Sequence, residues 1–351
     1  MQRRLLLALA VLWAGCSDST ASPPSALAAK TTATIRIRAI PLDGWTLRDA
    51  FVLSRQSSGA VDSVPINASG LATLRVTAGS TLDLRVDAPA PRQYHPSSAS
   101  YTVADDTTLE MVLVPTSWVV QRGPHAGSRR PIDIVNAFGS DNDDTHFLNL
   151  FTPSRKILVA WSEDALPISV GLDTTGTTRR WSSADSAWFW SALNDINDAM
   201  GRPVFRPTGG VAVSTRNVIG IRIDYDNPGY FGSLGATVDS CRLPIRVCND
   251  LHGAVILARG IFYRSLFDEG NFRSMQHEMM HSLGFGHACY WSSVMTQTRV
   301  GCTATVPAHI TVDDVAYIEL IFRLASVLAA HPQAWNLDEA LAGARSVIGE
   351  K

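Results

Sequence analysis

The chain has 351 residues, enough for two domains with real cores. Hydrophobic residues make up 46% and charged residues 18%, which excludes a largely disordered chain. The formal net charge is -2, so the basic footprint of a nucleic-acid-binding protein is missing.

Residues 1–16 read as an export signal. Arg3 and Arg4 form a short basic region, and LLLALAVLWA (Leu5 to Ala14) follows as an apolar stretch too short to span a bilayer. It runs into WAGC. The small Ala14 and Gly15 before Cys16 resemble a bacterial lipoprotein signal, with Trp13 where Leu is usual. That resemblance implies a lipid on Cys16, attachment to the membrane through it, and residence in the bacterial cell envelope. The alternative is a plain secretory signal and a secreted product. Residues 17–32, rich in Ser, Thr, Ala and Pro, read as a flexible tether.

Residues 33–115 carry a period of two. Ile35 and Ile37 alternate with Arg36 and Arg38, and Leu82, Leu84 and Val86 alternate with Asp83, Arg85 and Asp87. Short alternating runs separated by Gly, Pro, Ser and Asp predict an antiparallel β-sandwich, similar in pattern to immunoglobulin-like or transthyretin-like modules. No catalytic cluster is visible in it, so a spacer or binding role is expected. Residues 116–160 read as a connecting segment. Within it GSDNDDTHF (Gly139 to Phe147) holds Asp141, Asp143 and Asp144. Calcium is conceivable there, but the spacing is not that of an EF-hand, and a solvated acidic loop is the simpler reading.

From Trp161 to residue 333 the texture is mixed. LPISVGLD (Leu166 to Asp173), NVIGIRIDY (Asn217 to Tyr225) and GAVILAR (Gly253 to Arg259) predict strands. Phe189, Leu193, Ile196 and Met200 recur at helical spacing, and Gly201 and Pro203 end that helix. Met275, Met279 and Leu283 form the buried stripe of a second helix. Thr311 and Asp314 make a cap pair before the stripe of Val315, Ile318, Ile321 and Leu324. Residues 334–351 read as a final short helix starting after Asn336. Apart from Cys16 there are Cys241, Cys248, Cys289 and Cys302, an even number that predicts two disulfides in an exported protein. Three pairings are possible, and the sequence-local one, Cys241–Cys248 with Cys289–Cys302, is preferred. Zinc ligation by these cysteines is disfavoured, since no CxxC pair occurs.

The second helix carries the chemistry. HEMMHSLGFGH runs from His277 to His287. His277 and His281 are four apart and share one face of a helix, where two imidazoles can grip one ion. Glu278 is rotated about 100° from His277, so its carboxylate can act on water at an open fourth position without being a ligand. A continuous helix would carry His287 past the metal. Gly284 tolerates the left-handed turn that brings it back. These five positions together arise by chance in about one chain in 10⁵ at average residue usage, so an accidental helix with histidines is a poor explanation. His95, His125, His146, His252, His309 and His331 have no ligand spacing.

This HExxHxxGxxH pattern resembles the metzincin clan of zinc metalloendopeptidases, with matrixin-like spacing to a downstream methionine. The resemblance covers about residues 161–330. It implies Zn²⁺ held by His277, His281 and His287, Glu278 as general base, Gly284 at the turn, and Met295 as the methionine below the metal. Gln297 stands where some members place a tyrosine, so a tyrosine role is unsupported. The expected architecture is α+β: a metzincin-like domain, a twisted mixed sheet with the active-site helix, preceded by the small all-β sandwich. The expected function is an exported zinc endopeptidase acting on peptides or proteins bound along an edge strand. Two rivals stand beside it. One is a cell-surface binding or adhesion protein with a zinc-stabilised, inactive domain, against which the intact Glu278 argues. The other is a zinc hydrolase with a later carboxylate as third ligand, against which Gly284 and His287 argue.

Overall fold

Alternation of side chains decides the first half of the fold. The computed structural model describes residues 31–47, 49–56, 59–88, 94–95, 97–133, 159–173, 182–212, 215–224, 231–236, 251–258, 269–288, 291–296, 307–332 and 334. The signal peptide with Cys16, the acidic loop 139–147, Cys241, Cys248, Cys289, Cys302, Gln297 and the final helix expected over 334–351 lie outside these residues. Two sheets form the N-terminal module. One has β1 (Thr32–Pro41) between β4 (Leu71–Thr77) and β7 (Thr107–Leu113). The other orders β3 (Val61–Pro65), β2 (Phe51–Gln56), β5 (Thr81–Asp87) and β6 (Ser97–Thr102). The inward residues Ile35, Ile37, Val52, Leu74, Leu82, Leu84 and Val86 make a common core, as period two demands when one face of each sheet is covered. One pairing departs from the antiparallel expectation: β1 and β7 run parallel, Ile35 opposite Thr107. These are the first and last strands of the module. The chain reaches β7 by crossing from the other sheet, and so can enter beside β1 in either direction.

The segment expected to be a mere connection is structured where described. β8 (Ser117–Val119) and β9 (Arg129–Pro131) form an antiparallel hairpin. Trp118, Val120 and Ile132 from it join the large hydrophobic core of the second half. That core also takes in Leu42, Val112 and Val114 from the end of the β-module.

The second half is a mixed sheet of five strands with helices, so the protein is α+β overall. Its order is β11 (Phe205–Pro207), β10 (Ile168–Leu172), β12 (Val218–Asp224), β14 (Leu251–Ala258) and β13 (Phe231–Ala236). All neighbours pair parallel except β13 with β14, which is antiparallel and leaves β13 at the edge among the described residues. Helix α1 (Ser183–Met200) buries Phe189, Leu193, Ile196 and Met200, the stripe expected from their spacing. Helix α2 (Glu269–Leu283) buries Met275, Met279 and Leu283. Helix α3 (Val312–Ala330) is apolar on nearly every side and buried accordingly. Two of its acidic residues, Asp313 and Glu319, are engaged with the hairpin. Arg130 makes a two-pronged pair with Asp313 at 2.6 and 2.8 Å. Buried Glu319 accepts from the Trp118 indole at 2.8 Å and from the Gln121 N–H. Among the described residues no helix is long and apolar enough to cross a membrane.

Candidate metal centre

The three histidines converge. One ring nitrogen from each of His277, His281 and His287 lies within 4.8 Å of the others, a group that could hold a metal ion. The Nε2 atoms of His281 and His287 stand 3.1 and 3.2 Å from the Nε2 of His277.

Backbone carbonyls set which nitrogens face inward. His277 Nδ1 lies 2.9 Å from the Val294 carbonyl oxygen, and His281 Nδ1 lies 2.6 Å from that of Phe285. A carbonyl can only accept, so each Nδ1 carries the proton and each Nε2 presents a lone pair. Lone pairs meeting at 3.1 Å repel unless a cation sits between them, so the donor set fits a metal. Burial and the neighbouring His281 hold His277 well below its ordinary value, at about 4. It is therefore neutral, and able to coordinate, at physiological pH.

The helix end builds the second half of the cluster. Gly284 has φ of 102°, in the left-handed region. Its N–H donates to the His281 carbonyl at 2.9 Å, and the Phe285 N–H donates to the Met280 carbonyl at 3.1 Å. This is a Schellman termination. It turns the chain towards His287 and places the Phe285 carbonyl against the His281 ring. One glycine thus helps to position two of the three imidazoles.

Met295 is fully buried. Its carbonyl accepts from the Ala288 N–H at 2.9 Å, closing the loop that follows His287. The loop is held from α3. Asp314 accepts from the Ser293 hydroxyl and from the Val294 N–H at 3.2 Å, while also completing the capping box with Thr311. The sequence marks Asp314 only as a cap residue. Its hold on the Met295 loop, and through the Val294 carbonyl on His277, depends on a contact across 20 positions.

Glu278 is buried although it is a carboxylic acid. Burial pushes its carboxyl up to about 7, against the lowering effect of a hydrogen bond from the Gly232 N–H. Gly232 lies on β13, so this strand runs beside Glu278 and His281. Neither β13 nor this glycine is evident from the sequence pattern. The histidines without ligand spacing stay outside the cluster where described: His95 meets the Ile132 carbonyl, His331 meets Glu110, and His309 meets Asp195.

No protein-family profile matches the chain, and no curated protein matches it. Among solved structures, the TIE protein of Bacillus anthracis is similar over 25% of this chain and 17% of its own, at 14% identity and a TM-score of 0.21. The pilus adhesin RrgA of Streptococcus pneumoniae is similar over 84% of this chain and 40% of its own, at 10% identity and a TM-score of 0.15. The chain thus spans less than half the length of either. Scores this low carry no argument about fold or activity.

Proposed function

We propose that the protein is an exported zinc-dependent endopeptidase of metzincin-like fold, held at the bacterial surface by a lipid on Cys16. The observation that carries this reading is the convergence of three imidazole Nε2 atoms, two of them from α2, with the buried Glu278 next in sequence to His277. Two nitrogens at about 2.0–2.1 Å from a tetrahedral zinc stand about 3.3 Å apart, close to the 3.1 and 3.2 Å found here. His277, His281 and His287 would hold the ion. Zinc bound there supplies a Lewis acid for the scissile carbonyl and acidifies water.

The rest falls to the chain. Glu278, with its carboxyl near 7, is poised to take a proton from the attacking water and deliver it to the leaving amine. The edge position of β13 supports an extended peptide lying beside it, paired through backbone hydrogen bonds. Val294 and Phe285 keep the ligand rings oriented, and the buried Met295 supplies a firm floor.

The test is metal analysis of the purified full chain followed by incubation with an unbiased peptide library. Bound zinc in about equimolar amount, and cleavage abolished by a chelator and restored by zinc, are expected. A protein that binds no zinc, or binds it and cleaves nothing, would favour the binding or adhesion reading instead.

A further inference from the structure

Where the end of β1 meets the β8–β9 hairpin and α3, the structure forms a half-open cavity of about 320 Å³, remote in sequence from the histidine motif. Its walls bring together Asp43, Arg122, Glu163, Arg202, Glu319 and Arg323. Formal charges cancel across these six. Hydrogen-bonding capacity does not.

The carboxylates are already engaged. Glu319 takes the Trp118 indole N–H at 2.8 Å and the Gln121 N–H at 2.9 Å. Asp43 accepts from the Tyr94 hydroxyl at 2.8 Å and the Trp45 N–H at 3.3 Å. Glu163 accepts from Arg202 Nη1 at 3.1 Å. The cations are far less engaged. A guanidinium carries five N–H donors. Arg323 spends one of them on the Leu42 carbonyl at 3.3 Å. Arg122 has no ion-pair partner among the described residues. Arg202 is 15% exposed, and its Nε is buried with no acceptor among the described residues. Its guanidinium carbon lies 6.0 Å from the centre of the Phe322 ring. A buried guanidinium N–H without an acceptor is costly, and in native structures such a group marks a missing partner.

We propose that this cavity binds a small oxyanion, a free carboxylate or phosphate, clasped by Arg122, Arg202 and Arg323. Planar forks of donors suit both anions. The volume lies at the lower end of the roughly 300–1,000 Å³ typical of small-molecule sites, which favours inorganic phosphate or a short dicarboxylate over a nucleotide. The clasping residues come from the hairpin, the turn after α1, and α3, and the cavity wall includes the end of β1. A bound anion would therefore tie these elements together and raise the stability of the fold.

Calorimetric titration of the full chain tests this, with inorganic phosphate and succinate as separate probes at constant ionic strength in chloride. One-to-one saturable binding of at least one probe is expected. Phosphate alone would identify a phosphoryl ligand, and succinate alone a carboxylate. Arg122→Gln and Arg323→Gln should each weaken binding by about tenfold or more. Arg75→Gln, on the exposed face of β4, should leave it unchanged. Arg323 also supports the Leu42 carbonyl, so circular dichroism checks that its variant folds. Arg122 is exposed and gives an independent reading. Failure of both probes to bind in the millimolar range would overturn the proposal. So would binding that survives both arginine substitutions, which would place the anion elsewhere, the histidine centre included.

Discussion

A Cβ atom built on Gly232 would stand 2.2 Å from the carbonyl oxygen of Glu278 and 2.8 Å from the Cβ of His281. The edge strand and the helix that carries His277 and His281 touch backbone to backbone, and only glycine permits it. Gly232→Ala must push β13 and α2 apart. A loss of about 1–3 kcal/mol, the usual cost of overpacking, is expected in urea unfolding, together with weaker metal binding. Gly210→Ala is the control: its nearest neighbour is the Leu172 carbonyl at 3.6 Å, an ordinary contact. Equal stability of the two variants would show that the strand yields freely.

Asp314 is the anchor between α3 and the Met295 loop. Asp314→Ala leaves the Ser293 hydroxyl and the Val294 and Thr311 N–H groups without their acceptor. Leaving buried donors without an acceptor costs about 1–3 kcal/mol each, so a loss of at least that size is expected in urea unfolding. Because the same loop orients His277, metal affinity measured against a competing chelator should fall about 10–100-fold. Unchanged affinity would mean that the loop holds its place without α3.

The same residue gives a pH signature. Burial raises the Asp314 carboxyl from 3.8 to about 6, in spite of the hydrogen bonds it accepts. Between about pH 4 and pH 6 the folded protein keeps a proton that the unfolded chain has released. Stability from this group is therefore present below about pH 4 and lost as pH rises towards 6. In urea melts of metal-free protein, the stability difference between wild type and Asp314→Asn should shrink over that window. A difference that grows with pH would show that the hydrogen bonds outweigh burial.

Glu278→Gln and His281→Ala separate base from ligand. Glutamine keeps the shape of Glu278 without its basicity, so metal content should be retained and cleavage should fall by about 10²–10⁴-fold or more. Removing the His281 imidazole should lower metal content and activity together. Parallel metal analysis and peptide cleavage assays decide it. A Glu278→Gln protein cleaving at the wild-type rate would refute the assigned role.

What the sequence determines alone is local. A helix turns once in about 3.6 residues, so the spacing of His277, Glu278 and His281 sets their relative directions before any tertiary contact forms. Gly284 is legible for the same reason, since a left-handed residue is needed where the helix must end. The alternation of Ile35, Ile37, Leu82 and Leu84 likewise declares buried strands, because period two has one inward face. The pairing partners are another matter. The parallel register of β1 with β7, the hairpin docked on α3, and β13 as the edge beside Glu278 join segments far apart in the chain. Two glycines in β13 weaken its strand signal, and one of them is there because the helix presses against it. Val294 meets His277 across 17 positions, and Asp314 meets Val294 across 20. Such contacts are chosen by the packing of whole elements, where many weak burial terms compete, and no spacing rule within one segment carries that choice.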